Sequence, residues 1–261
     1  MIIVMFGIVI ALAAAVRSTW SPCGLSMLSQ LTPMAEAGRG RAFGKTAAWF
    51  VAGAVLGGLT LGGATALVAL AVGAAGLGTT ASVTLVAGAA FVAAAVDTRL
   101  FGFGPPLLPR QVNQDWLLNY RSWVYGGGFG WQIGAGVTTY VMTAAVPLMI
   151  VVGALGARPL AALGIGVLFG TVRGLAVLLT ARLRDPAALT AFHRRFAALA
   201  EPVRQGVIAV QLAIAAVAAW VATPVPVAAI VTITAAALLT WSLEPRRANP
   251  NVAVTVTDSA R

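Results

Sequence analysis

Seven apolar runs, each about long enough to cross a ~30 Å hydrocarbon core as a helix, occupy most of this chain. They fall at 2–34, 45–73, 80–103, 123–156, 159–181, 204–222 and 225–243. In lipid every backbone N–H and C=O has to be paired within its own segment, so runs of this length fold as helices. Of the 261 residues, 59% are hydrophobic and 9% charged, against about 25% charged in a soluble domain. The chain therefore reads as an all-α integral membrane protein with about seven transmembrane helices. A single transmembrane domain is expected over 1–243, surrounded by lipid bilayer, with a disordered cytoplasmic tail over 244–261.

The net charge of +10 is topological. Arg39, Arg41 and Lys45, then Arg99, Arg110 and Arg121, then Arg182 to Arg204, then Arg246, Arg247 and Arg261 fall in alternate loops, whereas the opposite loops carry only Arg158. The positive-inside rule places those clusters in the cytoplasm. The N-terminus is then outside, the C-terminus cytoplasmic, and no nucleic-acid partner is needed to explain the charge. Helical spans belong to the cytoplasmic (inner) membrane rather than to an outer-membrane barrel. No Lys or Arg precedes the first apolar run, so it reads as a retained span and not as a secretory leader.

Two runs are too long. A straight helix over 2–34 or 123–156 would measure about 50 Å, so each must bend or break. Pro22 is the breaker in the first run. Gly126, Gly127, Gly128, Gly130, Gly134 and Gly136 are the candidates in the fourth, each weakening a helix by close to 1 kcal/mol. Sliding the chain by 111 residues sets Trp20 on Trp131, Cys23 on Gly134 and Gly53 on Gly164. The chain then divides into repeats over 1–103 and 123–222, inserted in opposite senses, plus an extra span over 225–243. Inverted repeats with broken helices meeting near the midplane are a transporter plan. Gly53, Gly57, Gly58 and Gly62, with Gly166, Gly170 and Gly174, have the spacing that lets the second and fifth spans approach closely. Val112, Trp116, Tyr120 and Trp123 recur as on a short interfacial helix.

A charge at membrane depth costs about 2.5–3.5 kcal/mol on insertion scales, so the cations inside spans matter most. Arg17 is the one ionisable side chain in the first run before Glu36, Arg173 is the cation of the fifth, and Asp97, near the inner end of the third, is the one carboxylate within a span. Arg17, Arg173, Trp20, Trp131 and Gln132 are candidates to bind an anionic or polar small solute between the halves. The opposing reading has Arg17 snorkel to the outer interface and Arg173 pair with carbonyls at the broken helices. Cys23, following a proline at a break, is either a nucleophilic thiol or a small buried hydrophobe. With one cysteine there is no internal disulfide and no metal-ligand spacing. His193, among basic residues, reads as a solvated surface group, and neither metal nor cofactor is expected.

Trp20-Ser21-Pro22-Cys23-Gly24 resembles the Pro-Cys motif in the first span of the CcdA/DsbD transmembrane family. That resemblance implies inverted three-helix repeats, each broken at a Pro-Cys pair. It also implies electron passage from cytoplasmic thioredoxin to periplasmic thiol partners, including those of cytochrome c biogenesis. Gly130-Trp131-Gln132-Ile133-Gly134 is similar to the second motif in position, with Ile133 and Gly134 where the family has proline and cysteine, so the family's internal disulfide cannot form. Three functions follow. The leading one is a small-solute or ion carrier or exporter with a midplane site at the two breaks. The second is a thiol-disulfide oxidoreductase in which Cys23 forms a mixed disulfide with a thioredoxin-like or other thiol partner; only here is the chain an enzyme. The third is a non-catalytic membrane scaffold or assembly subunit.

Overall fold

The computed structural model describes residues 1–100, 104–105, 120–136 and 140–243, which are helical without a β-strand. In chain order the helices are α1 (Ile2–Ser18), α2 (Pro22–Gln30), α3 (Pro33–Gly38), α4 (Phe43–Ala74), α5 (Thr79–Asp97), α6 (Ser122–Ala135), α7 (Ala145–Leu155), α8 (Pro159–Leu175, continued as a 3-10 turn over Ala176–Thr180), α9 (Pro186–Ala198), α10 (Ala200–Ala222) and α11 (Val225–Leu243). The expected interfacial helix through Val112 and Trp116, and the tail over 244–261, lie outside the described residues.

Short-range chemistry sets several helix starts. Ser21, Thr32 and Asp185 each stand before a proline and accept a hydrogen bond from the N–H of Gly24, Ala35 and Ala188, opening α2, α3 and α9. Proline fits the first helical position, where its missing N–H is not needed, and the side-chain oxygen satisfies an orphaned donor. α1 and α2 therefore meet at a 64° bend just before Pro22, and the pair is long and apolar enough to cross as one broken span.

The second break falls at the last of the candidate glycines and not at the earlier ones. Gly126, Gly127, Gly128 and Gly134 lie inside the continuous helix α6; the chain leaves that helix at Gly136, whose φ is +69°. The fourth run is thus two helices of 14 and 11 residues. Among the described residues, five helices are long and apolar enough to cross a membrane, or six if the bent pair is one span.

Packing explains why α6 tolerates its glycines. A Cβ at Gly130 or Gly134 would collide with the backbone of Phe50 or Ala54 on α4, and one at Gly53 or Gly57 with the backbone of Gly127 or Trp131 on α6. The helix penalty of each glycine is offset by backbone-to-backbone contact that a larger residue forbids. On the other face of α4, Gly58 and Gly62 meet Gly166 and Leu163 of α8, and Gly170 meets Ala54 and Gly58, as the small-residue spacing predicts. α4 is thus the central helix, held between α6 and α8. Around it α1 packs on α7, α8 and α10, and α5 packs on α10 and α7. Phe6, Ile10 and Ala14 of α1 share the main apolar cluster with Met149, Val152, Ile165 and Phe169.

Candidate functional site

Arg17 and Arg173 are both buried, 8% and 3% exposed, but they serve different places. Arg173 Nη1 donates to the carbonyl of Ile133 at 2.6 Å and Nη2 to that of Ser18 at 3.4 Å. Those carbonyls belong to the last turns of α6 and α1, where backbone acceptors lack intrahelical donors and the helix dipole is negative. One guanidinium therefore ties together the two helices that break, with the Phe169 ring 5.6 Å from its carbon. Arg173 takes the carbonyl-pairing role, not that of an open substrate contact.

Trp20 is committed as well. Its ring stacks on Phe196 at 4.2 Å and its Nε1 donates to the Phe196 carbonyl at 2.8 Å. His193 is half-buried and shares a 3.2 Å hydrogen bond with Ser29, which corrects its reading as a solvated residue. Helix α9 thus lies over the first break. Beneath it Cys23, 3% exposed, occupies the second position of α2 in an apolar cluster with Met27, Ile133 and Phe196. Gly24 is required there because a Cβ would strike the Thr19 carbonyl. Trp131 faces outward, 39% exposed, with Nε1 on Thr60 Oγ1 at 3.1 Å, and Gln132 beside it is half-buried. Of the five residues proposed to bind substrate, Arg17 alone lines the polar cavity at the end of α5.

Arg17 leads elsewhere. A cavity of about 450 Å³ opens where α5 ends and α10 begins, and its walls include Arg17, Asp97, Arg99, Thr143, Glu201 and Arg204. Asp97, 5% exposed, accepts from Thr143 Oγ1 at 2.6 Å, from the Ala144 N–H at 2.8 Å and from Gln211 Nε2 at 2.9 Å. It therefore anchors the start of α7 and a buried amide of α10 to α5. Arg204 forms a two-pronged pair with Glu201, at 2.9 and 2.5 Å, and donates to the Asp97 carbonyl at 3.1 Å. Arg99 ends α5 with φ +59°, a left-handed conformation usually given to glycine, and donates to the Pro105 carbonyl at 3.1 Å. Arg17 lies within electrostatic reach of Asp97, Glu201 and Arg204, yet has no hydrogen-bond partner among the described residues.

Sequence reasoning passed over Glu36. It is fully buried and accepts from Tyr125 Oη at 2.6 Å, Thr46 Oγ1 at 2.5 Å and Arg39 Nη1 at 2.8 Å, clamping α3, α4 and α6. Two signals were available. Thr32-Pro33 opens a new helix before Glu36, and Arg39 stands three residues on, at the spacing of a helical ion pair.

No family model matches the chain, and no solved structure matches it. Among curated proteins it is similar to the methylamine utilization protein MauF of Paracoccus denitrificans, 34% identical over 178 residues that cover 66% of this chain and 62% of the relative. The MauF of Methylobacillus flagellatus is 36% identical over 148 residues, 52% of this chain and 48% of the relative. That of Paracoccus versutus is 33% identical over 147 residues, 55% and 52% of the two chains. This chain thus spans between about half and six-tenths of the length of these relatives.

Proposed function

We propose that the chain is a small-solute carrier of the cytoplasmic membrane on a plan of the CcdA/DsbD kind. In this reading α1–α2 and α6–α7 are the broken first spans of two inverted three-helix repeats, and α11 is the extra span, seven in all. The observation that carries the reading is the pairing of one guanidinium with both helix breaks, next to a polar chamber walled by Arg17. Broken helices meeting inside a membrane are where carriers place their substrate. The contacts of α4 with α8 and of α5 with α10 support the repeats, since those are the pairs a two-fold axis would relate. The basic loops put the N-terminus outside and turn the chamber toward the cytoplasm. The relatives' name adds a setting, methylamine utilization, in which the chain would serve as carrier or membrane accessory.

A second reading rests on Cys23, placed at the start of α2 within electrostatic reach of Arg173. Once the Trp20–Phe196 stack lifts, its thiolate would attack the disulfide of an oxidised thiol partner, forming a mixed disulfide and releasing the partner's second sulfur as a thiolate. Reconstitution into proteoliposomes separates the readings. Flux of small solutes is expected to fall at least tenfold in Gln205→Trp, which fills the chamber, and to be unchanged in Cys23→Ser. Flux that survives the tryptophan but not the serine would move the function to the thiol. Absence of flux for every solute would leave a scaffold.

A further inference from the structure

Resting on the carrier reading, we infer that the chamber binds a small organic monoanion and that Arg17 holds its carboxylate. Arg17 is 92% buried, counting from its 8% exposure, and lines the cavity with no hydrogen-bond partner among the described residues. A guanidinium presents five donors in a fixed fork, and a carboxylate matches two of them at once. The carboxylates of the chamber are already occupied. Both Asp97 oxygens accept from Thr143, Ala144 and Gln211, and Glu201 is held by Arg204 and Gln205. Asp97 is thus turned into the protein and Glu201, 57% exposed, is held in its ion pair, while the buried donor left open belongs to a cation.

Charge and size agree. Three guanidinium groups, of Arg17, Arg99 and Arg204, face the two carboxylates of Asp97 and Glu201, which leaves one positive charge for the ligand to neutralise. The cavity of about 450 Å³ is of metabolite size, and Met142, Val207 and Leu243 give its wall an apolar part. A short hydrocarbon bearing one carboxylate satisfies all three features. Gln211 Oε1, buried without a partner, lies behind Asp97 on α10 and is an acceptor, so it competes for a cation and not for this ligand.

The test is equilibrium binding of radiolabelled butyrate to the full chain in phosphatidylcholine nanodiscs, with inorganic phosphate and methylammonium as comparison ligands. Saturable butyrate binding is expected. It should weaken at least tenfold in Arg17→Gln, be partly kept in Arg17→Lys, and be unchanged in Arg158→Gln, whose side chain is exposed and outside the chamber. Glu201→Gln should tighten it several-fold by removing one negative charge and releasing Arg204. If Arg17→Gln fails to fold, Arg17→Lys carries the decision, and butyrate bound as tightly there as in the parent overturns the inference. Binding unaffected at Arg17, methylammonium bound in place of butyrate, or phosphate bound more tightly than butyrate would each overturn it too. Butyrate that binds but is not moved in proteoliposomes would sink the carrier and spare the anion site. Flux of another solute without anion binding would do the reverse.

Discussion

Arg173 and Arg17 look alike in the sequence, each a lone cation in an apolar run, and the fold gives them opposite fates. Arg173 meets the ends of two helices and fills its fork with the Ile133 and Ser18 carbonyls; Arg17 meets a cavity. Both carbonyls also accept from a backbone N–H, of Gly136 and Ser21, so what a substitution removes is two hydrogen bonds from a charged donor, about 1.5–3 kcal/mol each. Arg173→Leu is therefore expected to lower unfolding stability in detergent by about 2–4 kcal/mol. Arg173→Lys should recover only part of this, because an ammonium is a point charge and not a planar fork. If the leucine variant melts like the parent, Arg173 does not tie the breaks. The need for compensation at both arginines was legible from burial of charge alone. Which of them would be satisfied internally was not, because Ser18 and Arg173 are 155 residues apart. Glu36 went unnoticed for a similar reason, its Tyr125 partner being 89 residues away.

At the scale of elements, helix starts were local and helix contacts were not. The side chains of Ser21, Thr32 and Asp185 cap helices within three residues, so the break before Pro22 could be read from sequence. The glycines of α6 misled because intrinsic propensity is a weak prior that packing overrides. Their neighbours give a sharp comparison. At Gly134 an added Cβ runs into the Ala54 backbone, whereas at Gly164 it meets nothing within 4 Å. Gly134→Ala is expected to destabilise by about 1–3 kcal/mol, the range for overpacking. Gly164→Ala should be neutral or stabilise by up to about 1 kcal/mol through helix propensity. Thermal melts of the two variants in one detergent decide it, and equal melting points would remove the close-packing account of α4 and α6.

For the molecule as a whole, α9 governs access to its one cysteine. The Trp20–Phe196 stack and the Ser29–His193 hydrogen bond hold it over the first break. Cys23, 3% exposed, should therefore react slowly with a maleimide in the native state. Trp20→Ala or Phe196→Ala should raise that rate at least tenfold while leaving the denatured rate unchanged; equal native rates would mean that α9 covers nothing. The sequence by itself determined the solvent, the helical class and the first break, because hydrocarbon demands paired backbone groups and a capped proline acts within one turn. Only the tertiary structure decided which glycine of the second long run ends its helix, what the other glycines are for, and which buried arginine keeps its donors open. Each of those depends on what arrives from a distant part of the chain, and apolar periodicity carries no record of which helix will lie alongside.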